Sequence, residues 1–143
     1  FCYKGVIIML LSLLSKEEKF HFIDLLTKMV FVDGAASELE LQIIDRLRYE
    51  MGDDVLKYKK SNLKLDKLVD YFAGKTKTIR NLVLLNLISA SLYDDWYSVE
   101  EHFLIEDIQN KFQITDKKRQ ELMKLVYAER DLRERARRVI QES

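Results

Sequence analysis

The 143-residue chain has no proline, four glycines and a single cysteine, Cys2. A β-rich protein turns often and places glycine and proline in its turns. Their scarcity predicts long helices joined by few loops. One cysteine excludes an intramolecular disulfide and a thiolate metal cluster, and it fits a reducing, cytoplasmic setting. Two histidines, His21 and His102, are too few to suggest a zinc site. Glu18-x-x-His21 has the helical spacing of diiron bundles, but those need a second such pair, and Val99 stands three residues before His102. The sequence has no glycine-rich phosphate loop and no nucleophile–base pair. Residues 6–14 are apolar except for Ser12, far short of the roughly 20 residues of a membrane span. Lys4 is the only charge before that run, and no small-residue cleavage site follows it. Residues 1–14 are therefore expected to be an apolar arm or first helix on a domain spanning 15–143, rather than a targeting segment.

What the chain does have is charge, in blocks. Lys and Arg number 24 and Asp and Glu 24, for a net charge of zero. Residues 33–54 carry seven acids and two bases, and residues 57–80 eight bases and two acids. Residues 94–107 carry six acids and no Lys or Arg, and residues 111–143 ten bases and six acids. Such blocks form either solvated faces or a face for a charged partner.

Helix starts are written into the sequence. Ser15-x-x-Glu18, Ser37-x-x-Glu40 and Ser98-x-x-Glu101 are capping boxes, in which each Ser oxygen and Glu carboxylate satisfies a backbone N–H of the first turn. The first opens a helix with Phe20, Ile23, Leu26, Met29 and Val30 at helical spacing. The second opens one that Gly52 is placed to close in a left-handed cap. Leu63, Leu65, Leu68, Val69 and Phe72 suggest a third helix, stopped by Gly74. From Ile79 to Leu92 the chain is apolar almost all round, as a helix buried on every side must be. The third box begins a helix with Phe103, Leu104, Ile105, Ile108 and Phe112. Thr115 caps a long last helix reaching Ile140. Leu122, Leu125, Glu129, Leu132, Ala136 and Val139 form a short seam along it, spaced alternately by three and four. Its end is basic, with Arg130, Arg133, Arg135, Arg137 and Arg138, but interleaved acids favour a solvated helix over nucleic-acid binding.

One pattern occurs twice. Asp33-Gly34-Ala35-Ala36-Ser37-Glu38-Leu39-Glu40 and Asp94-Asp95-Trp96-Tyr97-Ser98-Val99-Glu100-Glu101 share the Asp, a Ser four residues on and a Glu seven residues on. Each copy follows an apolar stretch and precedes a helical one, which suggests a duplicated helical unit. The expected fold is all-α: a compact bundle of about six or seven helices, built from two related halves around a buried central helix.

The first copy, after an apolar helix ending in Phe31-Val32, resembles the tellurite-resistance TerB-like family over roughly residues 15–126. The second copy has Asp95 where that family usually has Gly. The resemblance implies a helical module of bacterial stress-response systems. It also implies a divalent cation, Ca²⁺ or Mg²⁺, held by Asp33, Glu40, Asp94 and Glu101. Hard cations take several oxygen ligands, and carboxylates gathered at turns supply them. The same Ser and Glu residues are equally explained as helix caps, and Asp33 and Asp94 as neighbours of positive helix ends. Tyr93, Trp96 and Tyr97 surround the second turn. They either pack on the domain or form a partner-binding patch, since Trp and Tyr are common at binding hot spots. The expected function is a non-enzymatic interaction module with a protein partner, a second copy of the chain included. The alternative is a metal-dependent hydrolase or metal-handling protein using the same carboxylates.

Overall fold

In the computed structural model, the described residues are 10–32, 42, 44, 45, 48, 49, 51, 52, 62–92 and 98–142. Five α-helices are bounded among them, residues 42, 44, 45, 48, 49 and 51 are helical as well, and none of the described residues is in a strand.

Each helix begins on a local signal. Ser15 opens α1 (Lys16–Val30): its Oγ accepts the Glu18 N–H at 3.2 Å, and its own N–H donates to Glu18 Oε1 at 2.7 Å. Both halves of the expected box are thus formed. Before it, Leu11–Leu13 make a single 3-10 turn, with Leu11 and Leu14 tucked into the core. α2 (Leu65–Ala73) starts two residues after Leu63, which is exposed rather than part of the helix. Gly74 follows α2 with φ −82°, so the stop there does not use glycine's special freedom. Gly52 does use it: φ is +110°, as a left-handed cap after helical Met51 requires.

Thr76 opens α3 (Lys77–Ser91), its Oγ1 accepting the Ile79 N–H. Every residue from Leu82 to Ser91 is buried. Two of the polar ones stay tolerable because they return to the helix's own carbonyls: Asn86 Nδ2 donates to Leu82 O and Ser91 Oγ to Ile88 O, each at 2.9 Å. Ser98 opens α4 (Val99–Lys111), where Leu104, Ile105 and Ile108 point inward. Phe103, expected among them, is 60% exposed. Three consecutive helical residues sweep about 200° of arc, so one of the Phe103, Leu104, Ile105 run must face out.

A tight turn follows, with Gln113 in the left-handed region at φ 56°. Buried Gln109 clamps it: its Nε2 donates to Ile114 O at 3.1 Å and Asp116 Oδ1 at 2.8 Å. Thr115 then opens α5 (Asp116–Gln141), accepting the Lys118 N–H at 3.1 Å.

α3 packs against α1, α2, α4 and α5, so it is the central helix that its sequence predicts. α1 also packs on α2 and α4, and α2 on α4. α3 and α5 run side by side in the same direction. Their first turns line one cavity, and 12 residues further along each, Arg130 donates to Leu92 O. α4 runs the opposite way, because its last residues lie at the Arg80 level. α5 therefore outruns α3. Residues 131–141 continue about 16 Å past that last anchor.

Candidate interaction surface

Asp33, Glu40, Tyr93, Asp94, Trp96 and Tyr97 lie outside the described residues. Glu101 is described: it sits in the first turn of α4, 3% exposed, with its N–H on Ser98 Oγ at 3.0 Å. Among the described residues no three His, Cys, Asp or Glu side chains converge on one point. No helix among them is long and apolar enough to cross a membrane.

The described residues bring together two other features. The first is the overhang of α5. Every residue from 130 to 142 is exposed. Leu132, Ala136, Val139 and Ile140 recur at i, i+4, i+7 and i+8, so they share one face of the helix. Val139 is 65% and Ile140 81% exposed. Of the expected seam only Leu122 is buried; Leu125 is half in water, Glu129 is partly buried, and Leu132, Ala136 and Val139 lie on the exposed stretch. Arg133 and Arg135 flank the stripe, one on each side, and Arg133 pairs with Glu129 along the helix. Isolated apolar residues on a surface are ordinary; here four of them share one face of an exposed helix end.

The second feature joins two basic blocks that lie apart in the chain. The first turns of α3 and α5 and the turn after α4 enclose a cavity of about 140 Å³, lined by Lys77, Arg80, Asn81, Gln113, Thr115 and Lys118 among others. Arg80 closes this junction: its Nη1 donates to Phe112 O at 2.6 Å, satisfying a carbonyl at the C-terminal end of α4. Lys118 is engaged by Glu121 at 3.2 Å. Arg80→Met is expected to lower the unfolding free energy by about 1.5–3 kcal/mol, the range for a charged hydrogen bond to a carbonyl. Urea unfolding measures this, and a loss below about 0.5 kcal/mol, the scatter of neutral surface changes, would show the contact is idle.

A third cluster is structural. His21 stacks on Tyr71 with ring centres 3.8 Å apart, Lys75 Nζ lies 4.5 Å from the Tyr71 ring centre, and Lys75 meets Glu18 at 3.7 Å. Tyr71 first, then Glu18 and Glu17, hold the Lys75 ammonium above its ordinary 10.5. The raised value keeps this contribution whole at every pH below 10.5; it fades only as pH climbs past the raised value. Lys75 thus fastens the start of α1 to the end of α2 through the neutral range.

No family model, curated protein or solved structure matches the chain.

Proposed function

We propose that this domain is a non-enzymatic interaction module that engages a protein partner through the overhang of α5. The observation that carries this reading is the apolar stripe of Leu132, Ala136, Val139 and Ile140 on a helix segment whose residues 131–142 are all exposed. Helices this short are marginal in water on their own, since about 12–15 residues are needed for stable isolated turns. An amphipathic helix end that the domain does not use is suited to the groove or helix of another protein. The resemblance at 33–40 and 94–101 suggests a cytoplasmic bacterial stress-response assembly as the setting, with Ca²⁺ or Mg²⁺ at the acidic turns as part of the same reading.

The test is the variant Leu132→Gln, Val139→Gln, Ile140→Gln. Glutamine keeps helix propensity and removes only the apolar face. Domain stability is expected to stay within about 0.5 kcal/mol of the parent, as for exposed positions. Proteins captured by the parent chain from native cell extract should be lost with the variant. An unchanged capture pattern would contradict the proposal, and so would an unfolded variant, which would mean that the stripe serves the domain itself.

A further inference from the structure

The overhang carries enough chemistry to select its occupant. Arg133 and Arg135 border its apolar stripe, so two copies of the overhang laid together would set arginine against arginine. Like charges at close quarters disfavour that pairing. The stripe calls for an apolar face bordered by acids.

The domain bears such a face on α4. Val99 and Phe103 stand 64% and 60% exposed, one helical turn apart. Glu100 and Asp107 are exposed along one flank, and Glu106, 2.8 Å from His102 Nε2, is partly exposed along the other. No lysine or arginine precedes Lys111 in this helix. The two surfaces match in length: α4 has 13 residues and the overhang, residues 131–141, has 11. A chain cannot join its own two faces. α4 runs back from the Leu92 level toward Arg80, whereas the overhang continues past Leu92 in the other direction. The partner face therefore has to come from another molecule.

We propose that the chain forms a closed dimer in which the α5 overhang of each copy lies on the Val99 and Phe103 face of α4 in the other. This rests on the overhang being the working face of the domain. Reciprocity matters energetically. One short helix face covers little surface, and two symmetric crossings bring the contact toward the ~800 Å² per partner of a stable interface. It also closes the assembly at two copies, because each overhang and each α4 face is then used once. Leu132, Val139 and Ile140 supply the apolar core of each crossing, with Arg133 against Glu100 and Asp107 at one rim and Arg135 against Glu106 at the other.

The experiment is sedimentation equilibrium on the full chain and two charge-reversed variants. One variant carries Arg133→Glu and Arg135→Glu, the other Glu100→Lys, Glu106→Lys and Asp107→Lys. The parent is expected at twice the chain mass, dissociating more readily at high salt. Each variant alone should dimerise at least about tenfold more weakly, since acid then meets acid or base meets base. Mixed in equal amounts the two should recover a dimer, because both crossings in the mixed pair are again of opposite charge. A helical circular dichroism spectrum like the parent's confirms that each variant is folded. A monomeric parent, variants that dimerise like the parent, or variants that stay apart when mixed would each overturn the proposal. A monomeric parent whose captured protein partner is still lost in the glutamine variant would remove the dimer and leave the interaction module standing.

Discussion

Alanine in place of Leu82, Leu84, Leu85 or Leu87 is expected to destabilise the domain by about 2–5 kcal/mol in each case, the range for leucine removed from a core. At 100° per residue these four side chains leave α3 in four different directions. Leu84 and Leu87 are wholly buried and Leu82 and Leu85 are 6% exposed. Around a surface helix the same scan would find a silent face. Here it should find none, because α3 packs on α1, α2, α4 and α5 at once. The whole stability of a domain this size is about 5–15 kcal/mol, so each of these changes alone should remove a large fraction of it. Urea unfolding of the four single variants measures this. One neutral position among the four would show that a side of α3 is open and that the packing order is wrong.

The central helix was legible because burial on all sides leaves a signature that needs no partner to read: an apolar run with no polar face. The helix starts at Ser15, Ser98 and Thr115 were legible for a similar reason, since a cap is settled within four residues of chain. Thr76 was harder to see. It lies in the polar stretch Gly74-Lys75-Thr76-Lys77, where no apolar period begins, yet its hydroxyl caps α3. Phe103 and Leu63 misled because apolarity states a preference for burial and not a direction. Phe103 loses its place to Leu104 and Ile105, and Leu63 falls before the first turn of α2.

The candidate site was half legible. The seam on the last helix was visible, but its arginines read as a solvated end, and the sequence pointed for a site to the acidic turns and to Tyr93, Trp96 and Tyr97 instead. Which part of that seam the domain keeps for itself was not visible, because it depends on where α3 ends. α5 has 26 residues and α3 has 15, and the register set at the Arg80 and Arg130 contacts leaves the excess at one end. The meeting of the two basic blocks is hidden for the same reason: it follows from α3 and α5 starting side by side. Of the four acids named as metal ligands, Asp33, Glu40, Asp94 and Glu101, only Glu101 lies among the described residues.

The overhang should behave as a different substance from the rest of its own helix. Up to Val126, α5 is held by side chains buried against the domain, and Arg130 makes the last tie, to Leu92 O. Amides there open only when the packing opens. Residues 131–141 keep helical hydrogen bonds while every one of them stands exposed. Opening free energies within one protein run from about 0 at fraying ends up to the global value in the core. Both extremes are expected within this single helix.

Hydrogen exchange along α5, measured at a dilution that leaves the chain as single copies, decides the matter. Strong protection through residues 120–130 that falls steeply to near-free exchange by residue 135 is the expected profile, with protection returning to the tip at concentrations where the dimer forms. Protection that continues unbroken to Gln141 in the single copy would mean that the domain already covers its own last helix, and no face would remain to offer a partner.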